Sequence, residues 1–138
     1  MNSKKPLRWV LVLILVTLLL TSCGGATAKP PAVGEWVTTT DFGKLIFTVD
    51  GTGTKITKMS YQFSKWTCGP GTVSGTIEVG SEWPITDKKF LITTSLDSET
   101  TMNFSGTYDA TNQKFSGTWD EISHGTKCSG TWEASAPK

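Results

Sequence analysis

A short phrase that repeats along the chain constrains the fold more than any other feature of the sequence. It stands at 104–109 (FSGTYD), 115–120 (FSGTWD) and 128–133 (CSGTWE), with a weaker copy at 73–78 (VSGTIE). On a β-strand the first, third and fifth positions share one face. The phrase therefore predicts a meander of antiparallel strands, in which apolar and aromatic side chains face a core and each glycine leaves room for a neighbouring ring.

The rest of the chain from Gly34 onward has a similar alternation. Turns are predicted at 50–53 (DGTG), 69–71 (GPG) and 109–112 (DATN). Further strand candidates are 34–40, 44–50, 56–66, 73–79 and 90–95, with 83–85 as an edge or crossing segment. No window has a helical period. We expect one all-β domain over 34–134, an antiparallel β-sandwich or an up-and-down meander barrel, followed by a short tail.

The first 22 residues differ in composition from the rest. Lys4, Lys5 and Arg8 precede an apolar run at 9–20 that is broken only by Thr17. A run of about 12 residues suits the apolar region of a signal peptide and is short for a bilayer-spanning helix, which needs about 20. The leader therefore predicts export.

The apolar run ends in 20–23 (LTSC), which resembles the lipobox of bacterial lipoproteins. The resemblance implies that residues 1–22 are removed and that Cys23 carries a diacylglyceryl group. The alternatives are a plain secretory signal, cut at Ser22 or near 26–28 (ATA), and an uncleaved anchor. Because two acyl chains attach a protein stably, we expect anchoring through Cys23 to the inner or outer membrane, outside the cytoplasm. Residues 23–33 would be the lipidated N-terminus and a flexible spacer.

Two cysteines remain once Cys23 is assigned to the lipid, Cys68 and Cys128. Export implies an oxidising compartment, where such a pair normally forms a disulfide. The alternative is a pair of free thiols that bind a metal together with His124, but these three ligands lack a usual zinc spacing. We therefore expect one disulfide and no metal.

The two ends of the domain resemble those of a loose group of bacterial secreted and lipoprotein β domains. The opening phrase is 34–36 (GEW), followed by 45–49 (LIFTV), and the closing phrase is 128–134 (CSGTWEA). This resemblance implies a β domain and no particular activity. The opening phrase is also similar to that of lipocalins, barrels that hold small apolar ligands. Those usually place an arginine across the tryptophan, whereas the one arginine here is Arg8.

The charge of the chain argues against a nucleic-acid partner. Residues 23–138 carry 10 lysines, no arginine and 12 acidic side chains, a formal charge of −2 (10 minus 12). A nucleic-acid-binding domain needs a basic patch or stripe, and none is visible.

Signals of catalysis are weak. His124 lies in 120–125 (DEISHG), beside serine and acidic residues, but a triad requires convergence in space, and we expect a solvated loop. No nucleophile elbow, phosphate loop or calcium loop occurs. Carboxylates that would serve a glycan hydrolase are Asp87, Asp97, Asp109, Asp120 and Glu133. We predict neither an enzyme nor a cofactor.

The predicted function is a non-enzymatic binding or interaction module of the cell envelope, with an unidentified envelope ligand or protein as partner. Trp66 and Trp83 are the candidate ligand-binding residues, because both stand near turns and outside the repeat. Packing in the core or at an edge is the alternative for both. The rival functions are a barrel that carries a small apolar ligand, a carboxylate-dependent glycan hydrolase and a purely structural envelope protein.

Overall fold

The computed structural model describes residues 28–138, which form eight antiparallel strands. They are β1 (Gly34–Thr40), β2 (Gly43–Val49), β3 (Lys55–Trp66), β4 (Val73–Pro84), β5 (Lys89–Ser95), β6 (Thr100–Asp109), β7 (Lys114–Ser123) and β8 (Thr126–Ser135). Strands β1–β4 form the first sheet and β5–β8 the second, and each strand pairs with the next one in its sheet. The predicted all-β, antiparallel fold is confirmed. This part of the chain contains no helix suited to crossing a bilayer.

The two sheets pack face to face and meet along two seams. Along one seam β1 lies beside β8, where the Thr38 hydroxyl donates a 2.6 Å hydrogen bond to the Glu133 carbonyl. Along the other seam β4 and β5 are joined by residues 85–88, but the two strands contact each other much less. The two sheets are therefore in closer contact along the β1–β8 seam than along the β4–β5 seam.

The core between the sheets consists mainly of aromatic side chains. The Trp36 ring lies edge-on to Phe115 at 4.9 Å, and the rings of Phe104 and Trp132 are 4.8 Å apart. The largest fully buried side chains are Trp36, Trp119, Tyr61, Phe42, Phe47, Phe104, Phe115, Leu45, Ile56, Met59, Ile92 and Met102. Burying rings of this size supplies most of the apolar area that a domain of this length has available.

The repeated phrase builds the second sheet as the sequence predicts. Its three strong copies lie on β6, β7 and β8, and the aromatic residues of these copies are buried. A Cβ on Gly106 would lie 2.5 Å from the Phe90 ring, so this glycine does make room for a ring. At Gly117 the neighbour is instead the backbone carbonyl of Ser105, so there the glycine lets two strands approach.

The weak copy of the phrase behaves differently. It lies on β4, which extends to Pro84, five residues beyond the predicted end at 79. No residue of β4 is fully buried; Val73 is largely exposed and Ile77 half-buried. The first two residues of the predicted edge segment 83–85 are therefore the last paired residues of β4, which is an edge strand. Proline is tolerated on an edge strand when the position of its missing N–H faces away from the neighbouring strand.

A disulfide joins Cys68 to Cys128, as predicted, and ties the β3–β4 loop to β8. It lies at the end of the sandwich formed by the loops 41–42, 67–72, 96–99 and 124–125, here called the disulfide end. The opposite end, here called the termini end, holds the loops 50–54, 85–88 and 110–113 together with the start of β1 and the end of β8.

Residues that precede β1 pack onto the termini end. Pro31 is buried, Ala32 accepts a 2.9 Å hydrogen bond from the Trp36 indole, and the Tyr108 hydroxyl donates to the Pro30 carbonyl at 3.3 Å. Packing therefore starts before the predicted spacer boundary at 33, because these indole and phenol groups take their acceptors from that stretch. The expected signal peptide, the lipidated Cys23 and the spacer up to residue 27 lie outside the described residues.

Candidate functional site

The outward face of the first sheet carries two neighbouring hollows. Alternation along β1, β2 and β3 sends one set of side chains into the core and the other set outward. Among the outward set, Ser60 is only 4% exposed, and Ile46 and Gln62 are half-buried. Outward side chains of a sandwich are usually exposed, so this part of the surface is recessed.

The larger hollow has a volume of about 440 Å³ and lies towards the disulfide end. Its lining consists of Thr39, Gly43, Lys44, Gln62, Phe63, Ser64, Gly75 and Thr76. At this hollow Gly43 on β2 and Gly75 on β4 both pair with Phe63 on β3, a residue of the core. Both glycines have a positive φ, which other residues rarely adopt.

A smaller hollow of about 70 Å³ continues towards the termini end. Its lining consists of Glu35, Ile46, Thr48, Lys58, Ser60, Gln62 and Glu78. Gln62 lines both hollows, which are therefore neighbours on the outward face and are together called the groove here. Within it, the Lys58 ammonium and the Glu78 carboxylate form an ion pair of 2.9 Å.

Breaks in strand pairing border this groove. The register between β2 and β3 shifts at Thr48/Val49, and that between β3 and β4 shifts at Ile56/Lys58 and again at Phe63/Trp66. Bulges of this kind bend a strand and increase its local twist. The second sheet has no register shift in any of its three pairings. The groove therefore lies on the irregular sheet.

A buried carboxylate distinguishes the disulfide end. Glu121 is 4% exposed and accepts a 2.7 Å hydrogen bond from the Trp66 indole. Burial raises the pKa of Glu121 above its ordinary value, the hydrogen bond from Trp66 partly opposes this, and the charge of Asp97 adds to the increase. A carboxyl group of this kind is a frequent mark of a functional site and also occurs in structural networks.

The surroundings of Glu121 favour the structural role. The Trp66 ring packs edge-on against Trp119 at 5.5 Å, and Phe42 from the β1–β2 turn closes the cluster beneath them. The Trp119 indole N–H is buried and has no hydrogen-bond partner within residues 28–138. The Glu121–Trp66 bond thus links β7 to β3 across the sandwich, and no hollow described above opens onto it.

The two tryptophans singled out from the sequence lie far apart. Trp66 ends β3, whereas Trp83 pairs with Ile56 near the start of the same strand. Ten residues of strand correspond to about 33 Å, so the two rings do not form one platform. Both rings are half-buried and pack against the core, and neither lines the groove.

His124 lies in a two-residue turn between β7 and β8, as the sequence predicts for a loop. The Ser123 hydroxyl is 3.2 Å from its Nδ1, and the Glu99 carboxylate is 2.8 Å from its Nε2. These three types of side chain do converge, but Ser123 is buried and its hydroxyl also contacts Thr100 at 3.2 Å. This chain of contacts links the turn to β6 and leaves the Ser123 hydroxyl largely buried.

The groove residues were not among those predicted from the sequence. Lys44, Gln62 and Thr76 belong to three different strands, and only the register brings them into one row. The sequence signal for them is ordinary: polar residues at the outward positions of alternating strands. No cluster of three or more His, Cys, Asp or Glu side chains suited to a metal ion occurs in residues 28–138.

Comparison of the chain with protein-family models, with curated proteins and with solved structures finds no match.

Proposed function

We propose that this protein is a non-enzymatic binding module of the bacterial cell envelope, held on the membrane by lipid at Cys23, and that its ligand lies in the groove of the first sheet. The observation that carries the proposal is the groove, with its larger hollow of about 440 Å³. Its lining combines uncharged polar side chains with apolar surface, which suits a ligand that has both hydrogen-bonding and apolar groups.

The position of the groove suits an anchored protein. The chain enters the domain at the termini end through Gly34, so an anchor at Cys23 would hold that end towards the bilayer. The larger hollow begins at Gly43 and lies near the opposite end. A ligand arriving from outside would meet the hollow without passing the membrane.

The packing of the interior favours the groove over a barrel pocket for an apolar ligand. The space between the sheets is occupied by rings, including Trp36, Phe47, Phe115 and Trp132, that contact one another at 4.9–6.0 Å. An apolar carrier needs that space for its ligand. Binding of a ligand in the groove on the outward face requires no change in the packing of this core.

A thermal-shift panel tests the proposal with the full chain in mild detergent. The panel holds envelope glycans, short peptides, fatty acids, haem-like compounds and calcium. A ligand that binds only the folded state at one hundred times its Kd stabilises it by about 2.7 kcal/mol. We expect a saturable shift with one polar class, abolished by Thr76→Trp, which fills the groove.

Thr131→Trp is the matched control. Thr131 occupies the same position in its copy of the phrase as Thr76 does, and it is also exposed on an edge strand, but on the second sheet. We expect this variant to keep the ligand-induced shift. Equal loss in both variants, or full retention in Thr76→Trp, would exclude the groove as the binding site.

Lipid anchoring has its own test. Cys23→Ala removes the thiol that the lipobox resemblance assigns to the diacylglyceryl group. We expect the variant to leave the detergent phase in a phase-partition assay, because two acyl chains account for stable attachment. A variant that stays in the detergent phase contradicts the anchoring at Cys23.

A further inference from the structure

We infer that the groove takes a short, extended peptide with free ends, its carboxylate beside Lys44 and its amine beside Glu35. This inference rests on the proposed function, because it assigns a ligand class to the same groove. Three features support it: opposite charges at the two ends of the groove, the distance between them, and the chemistry of the lining.

The two hollows carry opposite net charges. Lys44 is the one charged side chain in the lining of the larger hollow, and it is exposed. The smaller hollow holds Glu35, Glu78 and Lys58, and the last two neutralise each other in their ion pair. Glu35 and Lys44 belong to no ion pair among residues 28–138. The groove thus offers a free cation at one end and a free carboxylate at the other.

The spacing of these charges suits a peptide of about four residues. Lys44 and Thr48 are four residues apart on β2, which corresponds to about 13 Å, and Glu35 pairs with Thr48 on the neighbouring strand, about 5 Å away. The two charged positions are therefore about 14 Å apart. An extended chain of four residues spans about 13 Å.

The lining between the charges suits peptide groups. The Gln62 amide supplies both a donor and an acceptor, and the Thr48 hydroxyl supplies either, as a chain of amides requires. Ile46 adds an apolar surface for a small side chain. The one aromatic ring in the lining, Phe63, is 6% exposed and offers little surface on which a sugar ring would stack.

Tetra-alanine in four forms tests the inference by titration calorimetry with the full chain in detergent: both ends free, N-acetylated, C-amidated, and both blocked. Each block removes one exposed ion pair and should raise Kd about two- to five-fold. Glu35→Gln should abolish the effect of acetylation alone, and Lys44→Gln the effect of amidation alone. The controls Glu133→Gln and Lys127→Gln alter exposed charges on the second sheet and should change neither effect.

The outcomes separate this inference from the proposed function. Equal binding of free and blocked peptides, or no binding of any peptide, overturns the peptide assignment. So does an effect of acetylation that persists in Glu35→Gln. If a glycan or another member of the panel still binds and is lost in Thr76→Trp, the groove remains the binding site and only its ligand class changes. Failure of Thr76→Trp to affect any ligand overturns both.

Discussion

The two sheets are built from the same kind of strand but differ in regularity. The second sheet carries the three strong copies of the repeated phrase, and its strands pair without a register shift. The first sheet carries only the weak copy, has three register shifts and holds the groove. The regular repeat thus coincides with regular strand pairing, and the groove lies on the sheet whose pairing is irregular. Departures from local sequence regularity are common at functional sites.

The outward faces show the same difference. On the second sheet, Asn103 accepts a hydrogen bond from Thr93 at 2.8 Å and donates one to Asp120 at 2.9 Å, so its polar groups already satisfy one another. On the first sheet, Glu35 and Lys44 have no ion-pair partner within residues 28–138. Unpaired charges that line a recess make the first sheet the better candidate for a ligand.

The largest effect is expected from cutting the covalent link between the sheets. The disulfide closes a loop with a sequence separation of 60 residues. On the chain-entropy relation such a closure is worth about 4 kcal/mol. Replacing Cys68 and Cys128 together by serine should lower the free energy of unfolding by about that amount, measured by urea titration of tryptophan fluorescence. A loss below about 1 kcal/mol would show that the aromatic core alone holds the two sheets together.

The next effect distinguishes the close packing of the repeat strands from the looser first sheet. A side chain on Gly117 would overlap the Ser105 carbonyl on the neighbouring strand. Gly117→Ala should therefore cost about 3 kcal/mol of stability. Gly80→Ala on β4 is the matched control, because its nearest contact would be Thr57 O at 3.9 Å, and it should change stability by less than about 0.5 kcal/mol. Equal losses of stability in the two variants would contradict the closer packing of the repeat strands.

The smallest effect concerns the acid that joins the sheets near the disulfide. Burial raises the pKa of Glu121 in the folded state above its ordinary value of 4.5. The folded state therefore favours the protonated form of Glu121. The contribution of this group to the free energy of unfolding is fully present below the ordinary pKa and is lost as the pH rises through the pKa of the folded state. Glu121→Gln resembles the protonated form and keeps an acceptor for Trp66. At pH 7 it should stabilise the protein by on the order of 1 kcal/mol.

Urea titrations at pH 4 and pH 7 provide the check on Glu121. The gain from Glu121→Gln should be larger at pH 7 than at pH 4, whereas Glu133→Gln, an exposed carboxylate on β8, should show little change at either pH. A variant that is less stable than the wild type at pH 7 would mean that the charged hydrogen bond to Trp66 outweighs the cost of burial.

The sequence alone predicts the fold well where the repeat stands. The phrase has its own alternation, so β6, β7 and β8, the turn at 109–112 and the inward aromatic residues follow from it. The pairing of Cys68 with Cys128 follows once Cys23 is set aside. These features follow from the local alternation of residues or from the number of cysteines, and both can be read from a single sequence.

The groove depends on information that the sequence does not display. Its lining comes from four strands, and a shift of one residue in the pairing of β3 with β2 or β4 would place different side chains beside Gln62. The bulge at Phe63/Trp66 and the extension of β4 to Pro84 result from long-range pairing. Trp66 attracts attention in the sequence because it is large and near a turn, yet its indole serves an internal bond to Glu121.

The two ends of the domain lie close together, which makes circular permutation of the chain feasible. A Cβ on Gly34 would lie 3.9 Å from Pro137 Cγ, so a linker of a few residues would join the points where the chain enters and leaves. The chain is then free to be opened elsewhere, for example at the exposed residues 97–99, as a circular permutant. An anchor fused to the new end would turn the domain over, so that its larger hollow faces the bilayer instead of the surroundings.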